Sequence, residues 1–380
     1  MSIVNCKLSI VLKDRVHFSG LNGIRAIASL AVVFSHTTQG LGQFGLDRFV
    51  LGRFANGNAR ATLLADFGVS IFFALSGFLI TYLLLEEKKK GEINIRNFYI
   101  RRILRIWPLY YLFFGLTLLT AYFFDFSYEN VSILFYIFLL ANIPFIFGGQ
   151  IPFLSHFWSL GVEEQFYSFW PWVVKKSKSI LKITAIIFLA LIAFKTAVRL
   201  FDINLLNGKT SLLYDAIHTT RFQCMLIGAI GAVLYNQKHA LFLQVTDNKI
   251  AQLVSWVIIL LVAINMFHVA SFIDNEIISL VTVFLIIGQI EKKNRIVNLN
   301  GSIFDFLGKI SYGIYVIHPL ITFYLSKILI APDDANVWNY LTVYLAVFAS
   351  TIAVSYVSYH YFEKRFLDMK EKYSTIKSAG

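Results

Sequence analysis

Apolar residues along this chain run in long blocks separated by short polar and basic stretches. The blocks fall at 19–40, 67–85, 107–124, 157–174, 183–201, 219–235, 250–268, 276–291, 304–328 and 338–360. Each is near the twenty or so residues that a helix needs to cross the hydrocarbon core of a bilayer. The pattern predicts an all-α integral membrane protein of about ten transmembrane helices. A further apolar block at 131–147 is interrupted or ended by Asn142, Pro144 and Gly148-Gly149. It reads as a re-entrant or partial helix, because broken backbone at membrane depth is tolerated where protein surrounds it.

Basic residues decide the orientation, since Lys and Arg in short loops stay on the cytoplasmic side. With ten spans and a cytoplasmic start, the inside receives Lys7, Lys13 and Arg15, then Lys88 to Arg105, Lys175 to Lys182, Lys238, Lys249, Lys292 to Arg295, Lys309 and the tail from Lys364 to Lys377. That is about 25 of the 34 basic residues. A full crossing by 131–147 would turn Lys175-Lys176 and Lys292-Lys293 outward, so the re-entrant reading is preferred. Both termini are expected in the cytoplasm. The chain reads as one membrane domain, residues 1–366, followed by a short polar cytoplasmic tail, 367–380. Arg25 interrupts the first apolar run and no small-residue cleavage pattern is evident, so that helix is expected to be retained.

Composition agrees with this picture. Of 380 residues, 57% are hydrophobic and only 15% charged, against about 25% charged in ordinary soluble domains. The formal charge of +12 would suggest nucleic acid in a soluble protein, but here the cations sit in tight clusters between apolar blocks. Two cysteines, Cys6 and Cys224, support no disulfide framework. No metal-ligand spacing, phosphate loop or nucleophile elbow occurs.

Four constellations carry candidate chemistry. Arg25 and His36 lie eleven residues apart in the first span, so they share a helix face roughly 16 Å apart and can line one cavity. Ionisable side chains inside a membrane are costly and mark interiors or aqueous paths; alternatively each residue sits near an interface and is merely wet. Arg101, Arg102 and Arg105 open the third span, where guanidinium forks suit phosphates and where orientation alone also demands cations. In His156-Phe157-Trp158-Ser159-Leu160-Gly161-Val162-Glu163-Glu164-Gln165-Phe166-Tyr167, paired carboxylates open a span expected near the outer face. They suit general acid and base work on a hydroxyl, or simply a helix N-terminus. Ser311, Tyr315 and His318 recur at i, i+4 and i+7 before Pro319, as a catalytic stripe or a hydrogen-bonded helix contact.

At these residues the chain resembles the acyltransferase 3 family, bacterial membrane proteins that move acyl groups, most often acetyl, from cytosolic acyl-CoA to sugars. The family's spaced arginine and histidine fit Arg25 and His36, its Phe-Phe-x-Leu-Ser-Gly-Phe-Leu-Ile-Thr fits Phe72 to Thr81, and its Arg-x-x-Arg fits Arg102 and Arg105. Its Trp-Ser-Leu-x-Val-Glu-Glu-Gln-Phe-Tyr fits Trp158 to Tyr167, and a Ser-Tyr segment with Tyr, His and Pro is similar to Ser311 to Pro319. The chain departs where many members carry Asp, which is Ser70 here, and where many read Arg-x-Asp, here Arg221-Phe222-Gln223. Some members carry a fused outer esterase-like domain, which is not expected in this chain.

The resemblance implies a multi-pass O-acyltransferase of the cytoplasmic membrane. Its co-substrate would be acyl-CoA, most often acetyl-CoA, with no permanently bound cofactor and no metal, and its acceptor the hydroxyl of a sugar, glycolipid or cell-surface polysaccharide precursor. It implies catalytic roles for His36, Arg25, Glu163 and Glu164 and donor binding by Arg102 and Arg105, with Ser311, Tyr315, His318 and Arg221 as further candidates. The rival reading is a transporter or flippase of a glycolipid, since buried ionisable residues also mark transport paths. Such transporters often carry inverted repeats, and no convincing pair of matching broken helices is found.

Overall fold

The computed structural model describes residues 15–16, 18–54, 57, 59–332, 336–374 and 377–378. Cys6, Lys7 and Lys13 lie outside them. The described chain is helical, apart from a two-residue parallel pairing of Arg15–Val16 with Lys377–Ser378. The main helices are α1 (Leu21–Gly40), α2 (Thr62–Lys89), α3 (Ile95–Phe123), α4 (Asn130–Ile137), α5 (Asn142–Phe147), α6 (Trp158–Lys176), α7 (Ile180–Leu205), α8 (Leu212–Thr220) and α9 (Phe222–Asn236). They continue as α10 (Ala240–Thr246), α11 (Lys249–Ala263), α12 (Asp274–Glu291), α13 (Ser302–Lys309), α14 (Ser311–Ser326), α15 (Val337–Ser358) and α16 (Lys364–Glu371).

All ten apolar blocks fall on helices. Five helical stretches among the described residues are long and apolar enough to cross a membrane, namely α2, α3, α7, α8 with α9, and α15 through α16. The pairs α10–α11, bent by 53°, and α13–α14, bent by 65°, bring the number to seven. Of the other helices expected to span, α1 carries Arg25 and His36, α6 carries Glu163 and Glu164, and α12 carries Asp274, Glu276 and Glu291. These polar side chains keep them short of the same measure.

The block at 131–147 does not form one long helix. It makes α4 and α5, of eight and six residues, each far too short to cross. Ser132 Oγ donates to the Gly149 carbonyl at 2.6 Å, so the segment returns to the level at which it began. Between those points Asn142 reaches Gln165 of α6, whose Nε2 donates to Asn142 Oδ1 at 2.7 Å. The segment therefore dips into the bundle, and α6 starts deep inside it, with the Trp158 indole edge-on to Phe73 of α2.

Helices α2 and α9 form the tightest contact and run in the same direction. A Cβ on Gly77 would lie 2.0 Å from the Met225 carbonyl oxygen, and one on Gly228 would lie 2.0 Å from that of Ala74. Backbones approach this closely only through glycine, a recurrent device where helices associate without a hydrophobic drive between them. The surfaces facing away from the bundle are apolar, including Leu116, Leu119 and Phe123 on α3, Ile186 and Leu189 on α7, and Leu253, Val257 and Leu260 on α11. Exposed apolar faces of this extent suit a lipid surrounding.

One end of the bundle gathers basic loops that are far apart in sequence. Lys88 Nζ donates to the carbonyls of Val174 (2.8 Å) and Ser177 (2.7 Å), and Lys175 Nζ donates to that of Ile93 (3.1 Å). Arg101 pairs with Glu87 at 2.5 Å and donates to the Tyr373 carbonyl at 2.8 Å. At the opposite end Ser35 Oγ donates to the Ala61 carbonyl, 2.7 Å, and the Thr120 and Tyr324 hydroxyls lie 2.8 Å apart, tying neighbouring helices together.

Candidate active site

Two cavities enter the bundle from its two ends. The inner one opens toward the basic loops; Arg25, Arg102, Arg105, Glu163, Ser311 and Lys370 line it. The outer one is lined by His36, Gln39, Asp66, Ser155, His156 and Trp158. Val69 of α2 and Tyr315 of α14 belong to both walls, so they form the divider between them.

This arrangement separates residues that spacing alone grouped together. Arg25 and His36 occupy one face of α1 but line different cavities, because the divider comes from other helices. Glu163 lies on the inner side, where the sequence reading had set the carboxylates toward the outer face. The cause is the dip of 130–157: α6 starts at the level of the divider, with Trp158 on the outer wall and Ser159 on the inner one, and runs inward, so Glu163 lies below it. Glu163 Oε2 accepts from the Tyr167 hydroxyl at 3.1 Å, which in turn meets Ser76 Oγ at 2.5 Å. Glu164 points elsewhere, and its Oε2 accepts from Trp107 Nε1 at 3.3 Å.

The inner cavity is rich in cations. Arg102 lies 5.9 Å from the Tyr167 ring centroid with its Nε enclosed and unpartnered. Arg25 donates through Nη1 to Asn22 Oδ1 at 2.9 Å. Ser311 Oγ donates to the Gly308 carbonyl at 2.8 Å. At the divider, the Tyr315 hydroxyl lies 2.6 Å from Ser159 Oγ and donates to the His156 carbonyl at 2.8 Å.

Three histidines cluster on the outer side. His36 Nδ1 and His318 Nε2 are 2.8 Å apart, and the His156 ring centroid lies 5.2 Å from that of His318. Hydrogen bonding assigns their tautomers. His318 Nδ1 faces the Ile314 carbonyl at 3.1 Å; a carbonyl only accepts, so this nitrogen carries the proton and His318 Nε2 is an acceptor. His36 Nδ1 must then donate to it, which leaves the lone pair on His36 Nε2. No described residue bonds that atom, and the side chain lines the outer cavity. Pro319, which has no N–H, withholds the helical donor from the Tyr315 carbonyl just before this pair. Among the described residues no group of three His, Cys, Asp or Glu side chains is placed to hold a metal ion.

Arg221 stands behind the outer cavity rather than in it. It bridges α8 and α9 with φ 29°, a conformation that non-glycine residues adopt only when their surroundings impose it. Its guanidinium lies 5.0 Å from the Trp158 ring centroid and pairs with Asp66 Oδ1 at 2.8 Å. Asp66 Oδ2 also accepts from Asn275 Nδ2 at 3.3 Å, and Ser70 Oγ donates to Asn275 Oδ1 at 2.7 Å. Asp66 thus supplies a carboxylate one helical turn before Ser70, and its side chain, 32% exposed, reaches the cavity wall. Sequence reasoning missed it, although the Asp absent from position 70 was a reason to inspect the turn before. It also missed His156 as a wall residue and Lys370, which it had assigned to a separate tail.

The model of an acyltransferase domain family matches residues 18–360 of this chain, a stretch that contains every candidate residue except Lys370. The chain belongs to the acyltransferase 3 family. Among relatives of this acyltransferase 3 chain, a Staphylococcus aureus (strain COL) protein provisionally named an O-acetyltransferase is 27% identical over 384 residues, 93% of this chain and 58% of the relative. A Bacillus subtilis (strain 168) protein, provisionally named a peptidoglycan O-acetyltransferase, is 30% identical over 237 residues, 58% of this chain and 34% of its own. The peptidoglycan O-acetyltransferase of Listeria monocytogenes (serovar 1/2a, strain EGD-e) is 30% identical over 191 residues, covering 45% of this chain and 27% of that one. The acyltransferase 3 chain therefore spans little more than half the length of the staphylococcal relatives. No solved structure matches it.

Proposed function

We propose that this protein is a membrane O-acyltransferase that moves an acetyl group from cytosolic acetyl-CoA to a hydroxyl of a cell-envelope sugar. The single observation that carries this reading is the pair of cavities meeting at Tyr315, one cationic and one holding a histidine with a free lone pair. The cations of the inner cavity suit the phosphates of an acyl-CoA. The histidines, Asp66 and Gln39 of the outer one suit a hydroxyl-rich acceptor. Relatives named for O-acetylation of peptidoglycan support a cell-wall or surface polysaccharide as the acceptor class.

In this reading ten helices cross the cytoplasmic membrane, α1, α6 and α12 completing the seven apolar spans. Residues 131–147 re-enter, and both termini are cytoplasmic. The clustering of the 88–105, 175–178 and 373 segments at one end supports that sidedness.

The chemistry follows from the two sides. Arg102, Arg105 and Arg25, on one cavity wall, hold and orient the donor through its phosphates. His36 Nε2 takes the proton of the acceptor hydroxyl while that oxygen forms a bond to the acetyl carbonyl carbon. The carbon–sulfur bond then breaks, and the thiolate of CoA leaves on the inner side. His318 holds His36 in the tautomer and rotamer this step needs, as a positioning residue. Asp66, fixed by Arg221 and Asn275, is placed to accept hydrogen bonds from acceptor hydroxyls.

The test is to purify the full chain in lipid nanodiscs and follow thiol release from acetyl-CoA with and without muropeptide or polysaccharide acceptors. In parallel, ester-linked acetate on cell-envelope glycans is measured by mass spectrometry in cells with and without the gene. Acetate that depends on the gene, together with thiol release that depends on His36, supports the proposal. Unchanged glycan acetate together with no thiol release in the presence of any acceptor would overturn it.

A further inference from the structure

We propose that Lys370, on the short helix α16 after the last span, is a fourth cationic ligand for the phosphates of the donor, so that α16 is a wall of the donor site. This rests on the reading of the inner cavity as an acyl-CoA site. Lys370 lies ten residues beyond the end of the family match at residue 360.

The geometry is that of a built anion site in which cations outnumber carboxylates. Lys370 is 9% exposed and lines the inner cavity with Arg25, Arg102 and Arg105. Its ammonium lies within electrostatic range of all three. No described residue gives Lys370 Nζ a hydrogen bond or an ion pair. Among the described residues Glu163 is the one carboxylate lining the cavity, so the four lining cations outnumber it by three, with Glu363 near Arg105 and Glu164 near Arg102 behind the wall. Like charges gathered away from bulk water repel one another, and a polyanionic ligand offsets that repulsion. CoA carries a diphosphate and a 3′-phosphate, a charge well matched to this excess. A lysine suits this place, since its compact charge on a long stem reaches phosphate oxygens without the fixed fork of an arginine.

Helix α16 is anchored rather than hanging loose. Arg101, paired with Glu87, donates to the Tyr373 carbonyl just past the helix. A turn of π-helix at Tyr359–Glu363 joins it to α15; such turns are often found at functional sites. Glu363 in that turn accepts from Ser358 Oγ at 3.0 Å. These contacts aim Lys370 back into the bundle, where a basic residue serving only as an orientation signal would extend into the cytoplasm.

The experiment uses the full chain in nanodiscs, with isothermal titration of CoA, of dephospho-CoA, which lacks the 3′-phosphate, and of pantetheine, which lacks all phosphates. Lys370→Gln and Lys370→Met should each raise the Kd for CoA roughly tenfold, flatten its dependence on salt and leave pantetheine binding as in the parent. Lys370→Arg should recover most of the affinity. If Arg102→Gln weakens CoA while both Lys370 variants bind it like the parent, the donor reading stands and the role of Lys370 is refuted. Equal weakening of CoA and pantetheine would assign Lys370 to packing and overturn the proposal. A parent protein that acetylates glycans in cells yet binds no CoA would remove the donor reading and Lys370 with it.

Discussion

The histidine pair offers the sharpest test of the chemistry, because the proposed mechanism gives its two members different tasks. Replacing His36 by Ala removes the proposed base, and a positioned general base contributes about 10²- to 10⁴-fold in rate. Truncation at His36 faces the outer cavity, so little packing is lost, and water entering the vacated space donates to His318 Nε2 in its place, so the protein should accumulate and melt near the parent. Replacing His318 by Ala acts indirectly, since it removes the acceptor 2.8 Å from His36 Nδ1 and leaves that N–H unpaired. An orphaned buried donor costs about 1–3 kcal/mol, roughly 5- to 150-fold if all of it falls on the competent arrangement of His36. The loss at His318→Ala should therefore be smaller than at His36→Ala and partly thermal, because His318 is fully buried. His318→Gln is the control, for its side-chain oxygen can stand where Nε2 stood and accept the same proton. Rates of acetyl transfer per molecule, together with melting in nanodiscs, separate these cases. The reasoning fails if His36→Ala at parental abundance keeps near-parental turnover, or if His318→Gln is no better than His318→Ala at equal stability.

Three other expectations follow from the same geometry. Arg105→Lys and Arg102→Gln should raise the KM for acetyl-CoA about tenfold or more with the acceptor KM little changed; unaltered donor kinetics at normal protein levels would leave the cluster as an orientation signal. Lys195→Ala should strand Glu276, which Lys195 Nζ meets at 2.6 Å and Gln223 Nε2 at 2.8 Å inside the bundle. A loss of about 3–5 kcal/mol is anticipated, read as a much earlier melt that Lys195→Met with Glu276→Met largely restores, and an unchanged melt refutes it. Single cysteines at Lys89, Lys176 and Lys292 in a cysteine-free background should resist an impermeant thiol reagent applied to intact cells; strong labelling at position 176 would mean that 131–147 crosses.

Much of the fold was legible in the sequence, for a physical reason. A lipid surrounding obliges each span to satisfy its own backbone hydrogen bonds over a set length, so helices α2, α3, α7 and α15 announce themselves through length and apolarity alone. Basic clusters are likewise local signals, and Lys88 and Lys175 meet at one end as their shared sign suggested. The stripe Ser311, Tyr315 and His318 needed only helical periodicity. The motif residues Arg25, Arg102, Arg105 and Glu163 were found by pattern, and three helices bring them to one cavity wall.

What the sequence could not decide is which side of a divider each residue faces, because that depends on helices distant in the chain. Tyr315 and Val69 split the face that Arg25 and His36 share, and nothing in the spacing of α1 records residues on α14 and α2. The depth of Glu163 was set by the dip of residues 130–157, whose return is fixed by contacts such as Ser132 with Gly149. Asp66 took its role from Arg221 and Asn275, more than 150 residues away in the chain. Lys370 was invisible for the opposite reason. A lysine after a last span is what orientation alone calls for, and only the packing of α16 against α3 turns its charge inward. Composition and periodicity report what each segment needs from its solvent, whereas the site is made where segments meet.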